Sequence, residues 1–271
     1  MSSFSPANFG VIGLGRMAQA LLFPLLESGQ LSSAGVQAAV ASQASAERLR
    51  QQHPGLQVST EALAAWRCEA VLLAVKPQQL EAVAAAAPAP TSAEPPLLIS
   101  VLAGVTVARL QRLFPGWRIV RAVPNTPCLV RAGLTGLAWG EGVSAEQQAW
   151  VQQLFAQVGE VLQLPEAQLD AFLALTSSGP AFVAMVAEAM ADGAVAAGLP
   201  RVQAHHLAHR TMAGTAALLQ EQQLHPAQLK DMVSSPGGTT IAGIRALESG
   251  GLRAALIEAV LAAAERSRQL G

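Results

Sequence analysis

Apolar positions over the first 160 residues fall into short runs separated by helical repeats. Six runs read as strands: residues 10–13, 36–41, 70–75, 97–101, 118–122 and 134–139. Between them the apolar spacing follows a helix near 44–52, 61–66, 78–87 and 106–113. A further helix at 145–156 and a short strand at 158–162 close this part. Strand–helix alternation of this kind predicts a doubly wound, mostly parallel sheet. From residue 166 the strand signals stop, and helical patterns fill 169–197, 202–222, 226–233, 240–247 and 252–269. The boundary is expected at Leu164-Pro165, dividing the chain into an α/β domain, 1–164, and an all-α domain, 165–271. So many apolar helical faces, rich in small residues, predict a dimerisation unit rather than an isolated bundle.

The first strand runs into a glycine turn, Gly13-Leu14-Gly15-Arg16-Met17-Ala18, and then into the helical run Leu21, Leu22, Leu25 and Leu26. In a G-x-G-x-x-A turn the first glycine permits the bend and the second lets a pyrophosphate meet the backbone. The alanine lets the helix pack close to the strand. Glycine-rich strand–helix turns also occur without a ligand, but the context here predicts dinucleotide binding through Gly13, Leu14, Gly15, Arg16, Met17 and Ala18.

A second glycine loop lies far from the first. Ser234-Ser235-Pro236-Gly237-Gly238-Thr239-Thr240 precedes the apolar-periodic run Ile241, Ile244, Leu247. It reads as a loop feeding a helix N-terminus, where free N–H groups and the dipole favour an anion such as a carboxylate. An ordinary capped turn between helices is the plain alternative.

Composition limits the partners. Of 271 residues, 51% are hydrophobic and 13% charged, and the net charge is −1. Neither disorder nor a charge-driven contact with nucleic acid or a membrane surface is expected. The apolar stretch 171–187 is interrupted by Ser177-Ser178-Gly179-Pro180, so no membrane span is expected there. No charged-then-apolar leader opens the chain, and two cysteines, Cys68 and Cys128, make no disulfide framework and no metal-ligand spacing. A cytoplasmic location and a homo-oligomer are the expectations.

The kind of dinucleotide depends on the residues just past the second strand. An NAD site calls for Asp or Glu there, yet residues 30–46 contain no charged residue. Ser42, Gln43 and Ser45 offer neutral hydrogen bonds, with Arg48 and Arg16 nearby in sequence. NADPH is therefore the expected cofactor, with NADH as the alternative for a pocket that accepts both. Val75-Lys76-Pro77 ends a buried strand at the ligand-binding edge, as do the turn containing Ala103 and the corner Pro124-Asn125-Thr126-Pro127. Lys76 meets phosphate or ribose, or is a solvated charge. Asn125 pairs with the nicotinamide amide, or simply makes a rigid turn.

The glycine turn at 13–18, AVKP at 74–77, PNTP at 124–127, SSGP at 177–180 and LKDMVSSPGGTTIAGIRALESGG at 229–251, in this order, resemble pyrroline-5-carboxylate reductase over almost the whole chain. The resemblance implies a Rossmann domain joined to a helical dimerisation domain, with each active site at a subunit interface. It implies reduction of 1-pyrroline-5-carboxylate to proline by NADPH or NADH. Carboxylate capture would fall to Ser235, Gly237, Gly238, Thr239 and Thr240. Thr240 matches the family position whose hydroxyl assists at the ring nitrogen, by relaying a proton or by orienting the ring. Glu166 matches a substrate-binding position and would favour a cationic imine, against the plainer reading of dipole complementation at a helix start. Met232 stands where members often carry Asn, and Glu61 where some carry asparagine.

Three other readings are open. β-Hydroxyacid dehydrogenases share this architecture but use a lysine on a helix of the second domain, and the helix after Gly179-Pro180 has none. A six-membered homologue, piperideine carboxylate, differs by one methylene, worth about 1–3 kcal/mol in a pocket. A non-catalytic NADP-binding regulator would be expected to have a damaged signature loop. His205 and His209 share a helix face, but without a third ligand they read as solvated, and no metal is expected.

Overall fold

The computed structural model describes residues 4–92 and 94–270. Its first strand, β1 (Phe9–Ile12), is buried at all four positions, FGVI. A strand covered by helices on both faces has no polar side, so it reads as a continuous apolar run. The chain continues through α1 (Arg16–Glu27), β2 (Val36–Ala39), α2 (Gln43–Gln52), β3 (Gln57–Ser59), α3 (Leu63–Trp66), β4 (Ala70–Leu73), α4 (Leu80–Ala86), β5 (Leu97–Ser100), α5 (Val107–Leu113), β6 (Arg118–Pro124), β7 (Gly133–Trp139), α6 (Ala145–Ala156) and β8 (Gly159–Gln163).

These strands form one sheet in the order β3-β2-β1-β4-β5-β6-β7-β8. β1 to β6 are parallel, β7 is antiparallel to β6, and β8 is parallel to β7. The expected doubly wound, mostly parallel sheet is therefore present. The strand order reverses between β1 and β4, and that switch point is where open α/β sheets leave a crevice at their carboxyl ends. β3 is an addition to the expected set. It has three residues, of which only Val58 is buried, too few for any period to register.

Side chains alternate across the sheet and build a core on each face. Val11, Leu72, Ile99 and Val120 meet Leu21, Leu22 and Leu25 of α1 and Trp150 and Leu154 of α6. Ile12, Leu73, Leu98 and Ile119 meet Trp66, Leu80, Leu110 and Phe114 on the other face. Truncating one such residue, Leu98→Ala for instance, would cost about 2–5 kcal/mol.

The helical part comprises α7 (Leu169–Thr176), α8 (Gly179–Ala196), α9 (Arg201–Glu221), α10 (Pro226–Met232), α11 (Thr239–Ser249) and α12 (Leu252–Arg268). The single helix expected over 169–197 is two helices. Ser177 and Ser178 leave the helix, and Pro180 sits at the start of α8, where its missing N–H costs nothing. The chain divides into two compact units, Met1–Ser177 with Ala263–Gly271, and Ser178–Ala262. In the second unit the buried side chains are Ala187, Ala191, Ala204 and Ala208. Val183, Met185, Val202, Leu207, Ile257 and Leu261 stand exposed, Val202 at 84%. Four alanines are no core for a helical unit of this length, so it requires a partner surface. The stretch Glu166–Ala196 has the length and hydropathy to cross a membrane. It is broken at Ser177-Ser178 and carries Glu188 and Asp192 on α8.

Candidate active site

Gly13 comes directly after β1 with φ +88°, a left-handed conformation that side-chain-bearing residues rarely adopt. Its N–H donates to the Ala39 carbonyl at 2.9 Å, which extends the ladder to β2. Gly15 caps α1 with no side-chain bond, and nothing lies within 4 Å of where its β-carbon would stand. The first turn of α1 carries no acidic residue, so its free N–H groups and positive dipole end face open space beside Arg16. Ala18 is buried, Leu14 is buried, and Met17 packs half-buried on the core. This cradle fits a pyrophosphate.

Beyond β2, Ser42 caps α2. Its Oγ accepts from the Ser45 N–H at 3.3 Å and donates to Ser45 Oγ at 3.0 Å. The first turn of α2 is free of carboxylates. Glu61 lies two residues past β3, the strand paired with β2, and its N–H donates to Ser59 Oγ at 2.9 Å. An acidic group thus follows the strand next to β2, while the Ser42 cap itself is uncharged.

The same sheet edge gathers the other expected cofactor residues. Val75 is half-buried beside Gly13, with Cγ1 2.9 Å from the missing β-carbon. Lys76 is exposed and its N–H donates to Gln79 Oε1 at 3.3 Å, ahead of Pro77. Ala103 is half-buried in the β5–α5 turn. Asn125 is 4% exposed and firmly tied. Its Nδ2 donates to the Thr176 carbonyl at 2.9 Å, and its Oδ1 accepts from the Leu134 N–H at 2.8 Å. Ser177 Oγ donates to the Pro124 carbonyl at 3.2 Å. The amide therefore holds the corner to β7 and to the end of α7.

Glu166 is engaged as well. Its Oε1 accepts from the Val107 N–H at 2.7 Å and from Arg121 Nη1 at 3.1 Å. Arg121 Nη2 donates to Asp170 Oδ1 at 3.3 Å. Arg121 is absent from the residues the sequence pattern singles out, and its signal is a charge inside the otherwise apolar strand RIVRAVP, which opens on a second arginine, Arg118.

In the unit Ser178–Ala262, α11 begins at Thr239. Gly237 turns the loop with φ +67°. The Gly238 N–H, expected among the carboxylate donors, instead donates to the Ser235 carbonyl at 3.0 Å. The Ala242 N–H opens the helical ladder on the Gly238 carbonyl, so the donors left at the helix start are those of Thr239, Thr240 and Ile241. That first turn carries no acid. Met232 is exposed just before the loop. Lys230 ends α10.

Nucleophilic thiol chemistry has no support. Cys68 and Cys128 are buried free thiols. Burial, with the neighbouring Glu69 charge adding to it, pushes the Cys68 thiol up to about 11. Burial also raises Cys128. Both stay protonated at neutral pH.

A doubly wound sheet with a glycine cradle at its switch point, joined to an under-packed helical unit, defines a two-part protein of the Rossmann class. Residues 166–270 match the family model described as pyrroline-5-carboxylate reductase dimerisation. Residues 8–104 match the one described as NADP oxidoreductase coenzyme F420-dependent. The chain is 45% identical to a pyrroline-5-carboxylate reductase of Synechocystis, covering 97% of this chain and 98% of that protein. With the Arabidopsis thaliana pyrroline-5-carboxylate reductase it shares 38% identity, covering 96% and 94%. A Plasmodium falciparum pyrroline carboxylate reductase structure with NADP bound superposes with a TM-score of 0.89 at 27% identity, covering 98% of each chain. The Coxiella burnetii pyrroline-5-carboxylate reductase structure gives 0.86 at 32%, covering 98% and 99%. The chain belongs to the pyrroline-5-carboxylate reductase family.

Proposed function

We propose that this chain reduces 1-pyrroline-5-carboxylate to L-proline with NADPH, in the cytoplasm, as a homodimer or larger assembly. The observation that carries the reading is that each compact unit holds one anion-ready helix start. One is the cradle Gly13–Ala18, whose α1 terminus bears no acid. The other is the start of α11, whose Thr239 and Thr240 N–H groups are free of the loop's own turn bond. The curated relatives of matching length support it.

Gly13, Leu14, Gly15, Arg16, Met17 and Ala18 would hold the pyrophosphate, and Ser42 the 2′-phosphate. Val75, Lys76, Pro77, Ala103 and Asn125 would line the rest of the edge. When bound, the reduced nicotinamide supplies the hydride that adds to the imine carbon. The N–H groups of Thr239 and Thr240 orient the substrate by its carboxylate, with Ser235, Gly237 and Gly238 shaping the loop that presents them. The Thr240 hydroxyl hydrogen-bonds the ring nitrogen and passes on, or orients, the proton it gains. Glu166, paired with Arg121, favours the protonated imine. Residues 1–164 would serve as the dinucleotide-binding domain and 165–271 as the dimerisation and substrate domain.

Incubating the purified chain with pyrroline-5-carboxylate and NADPH, then measuring proline by amino-acid analysis, tests this. One proline is expected for each NADPH consumed. NADPH consumption without proline would move the reading to a different imine.

A further inference from the structure

Arg121 is 1% exposed, and among the described residues no other charged side chain is buried so deeply. It sits on β6, paired with Ser100 of β5 and Ala138 of β7. Its two terminal nitrogens reach Glu166 and Asp170 at 3.1 and 3.3 Å. Each carboxylate then holds a second element. Glu166 accepts from the Val107 N–H at the start of α5, and Asp170 Oδ1 accepts from Ser267 Oγ in the last turn of α12 at 2.7 Å. The Ser267 carbonyl and Leu270 pack against the β5–α5 turn, 2.7 and 2.8 Å from where a β-carbon on Gly104 would stand. Just past the end of the same strand, Asn125 ties the end of β6 to the end of α7. One guanidinium therefore fixes β6, α7, the β5–α5 turn and α12 at the sheet edge.

Buried ion networks are a poor source of stability compared with apolar packing of the same volume, so geometry is the better explanation for this one. We propose that Arg121 is a positioning residue for the cofactor. Through Glu166 and Asp170 it holds the turn at 102–104 and the corner at 124–127 in the arrangement that binds the dinucleotide. The inference rests on the proposed cofactor reading.

The test is NADPH affinity, read by nicotinamide fluorescence on the purified full chain, beside thermal unfolding and kcat at saturating substrates. Ser267→Ala and Asp170→Asn each remove one strand of the network. They should weaken NADPH binding by roughly 2- to 30-fold, with kcat and the unfolding midpoint near the parent's. Arg121→Lys, which supplies a single point charge, should retain part of the affinity that Arg121→Met loses. If Arg121→Met does not fold, the two milder variants decide. Parent-like NADPH affinity in both Ser267→Ala and Asp170→Asn would overturn the inference, as would a loss that merely tracks the folded fraction. A parent chain that reduces the imine but shows no change in these variants sinks the network alone. A parent chain that binds no nicotinamide dinucleotide removes the cofactor reading and the inference with it.

Discussion

The carbonyl oxygen of Ala74 lies 2.8 Å from the point where a β-carbon on Gly13 would stand. Two motifs far apart in the sequence thus meet at one close approach, where β1 and β4 deliver the chain to the switch point of the sheet. Gly13→Ala forces that contact and a left-handed alanine together. Expected is a loss of about 1–3 kcal/mol in unfolding free energy and a weaker NADPH complex. Denaturant unfolding and a fluorescence titration check both.

Thr240→Ala removes the one hydroxyl assigned to the ring nitrogen. Turnover should fall roughly 10- to 100-fold, at or below the range of a positioned general acid, while NADPH affinity changes little. Thr240→Ser should recover much of it. Initial rates with both substrates saturating separate the two effects, and normal turnover in Thr240→Ala would take the residue out of the mechanism.

Ser42 caps α2 where an NAD enzyme would grip the ribose with a carboxylate. Ser42→Asp should lower the ratio of NADPH to NADH efficiency by roughly tenfold or more, since about 1.4 kcal/mol of repulsion is enough. NADPH use that survives unchanged would place the 2′-phosphate elsewhere.

The unit Ser178–Ala262 buries only alanines and exposes Val202, Leu207 and Ile257. Folding of this part must therefore be coupled to association. The unfolding temperature should rise with protein concentration, and light scattering should give a mass at least twice that of one chain. A monomer with a concentration-independent midpoint would contradict this.

Much of the fold is legible in the sequence because strands buried on both faces, such as FGVI and LLIS, read as unbroken apolar runs. The edge strand β3 is not, since one buried Val58 makes no period. The interruption at Ser177-Ser178-Gly179-Pro180 is legible, but the helical spacing that continues on both sides merges α7 and α8 into one helix; the bonds from Ser177 to Pro124 and from Asn125 to Thr176, spanning 53 and 51 residues, leave no local trace. The glycine loops are legible because glycine, proline and threonine constrain backbone and capping directly. The closure of the Gly238 N–H onto Ser235 is not, because it depends on the left-handed turn at Gly237. Least legible is the Arg121 network. It joins Val107 to Glu166 and Asp170 to Ser267, separations of 59 and 97 residues that no local pattern reports.

The most direct measurement is the initial rate of absorbance loss at the reduced-nicotinamide band, with pyrroline-5-carboxylate as the variable substrate and NADPH or NADH in turn. The account predicts saturable oxidation that requires the imine and is faster with NADPH. A folded chain that binds NADPH yet oxidises neither cofactor in the presence of the imine would contradict it.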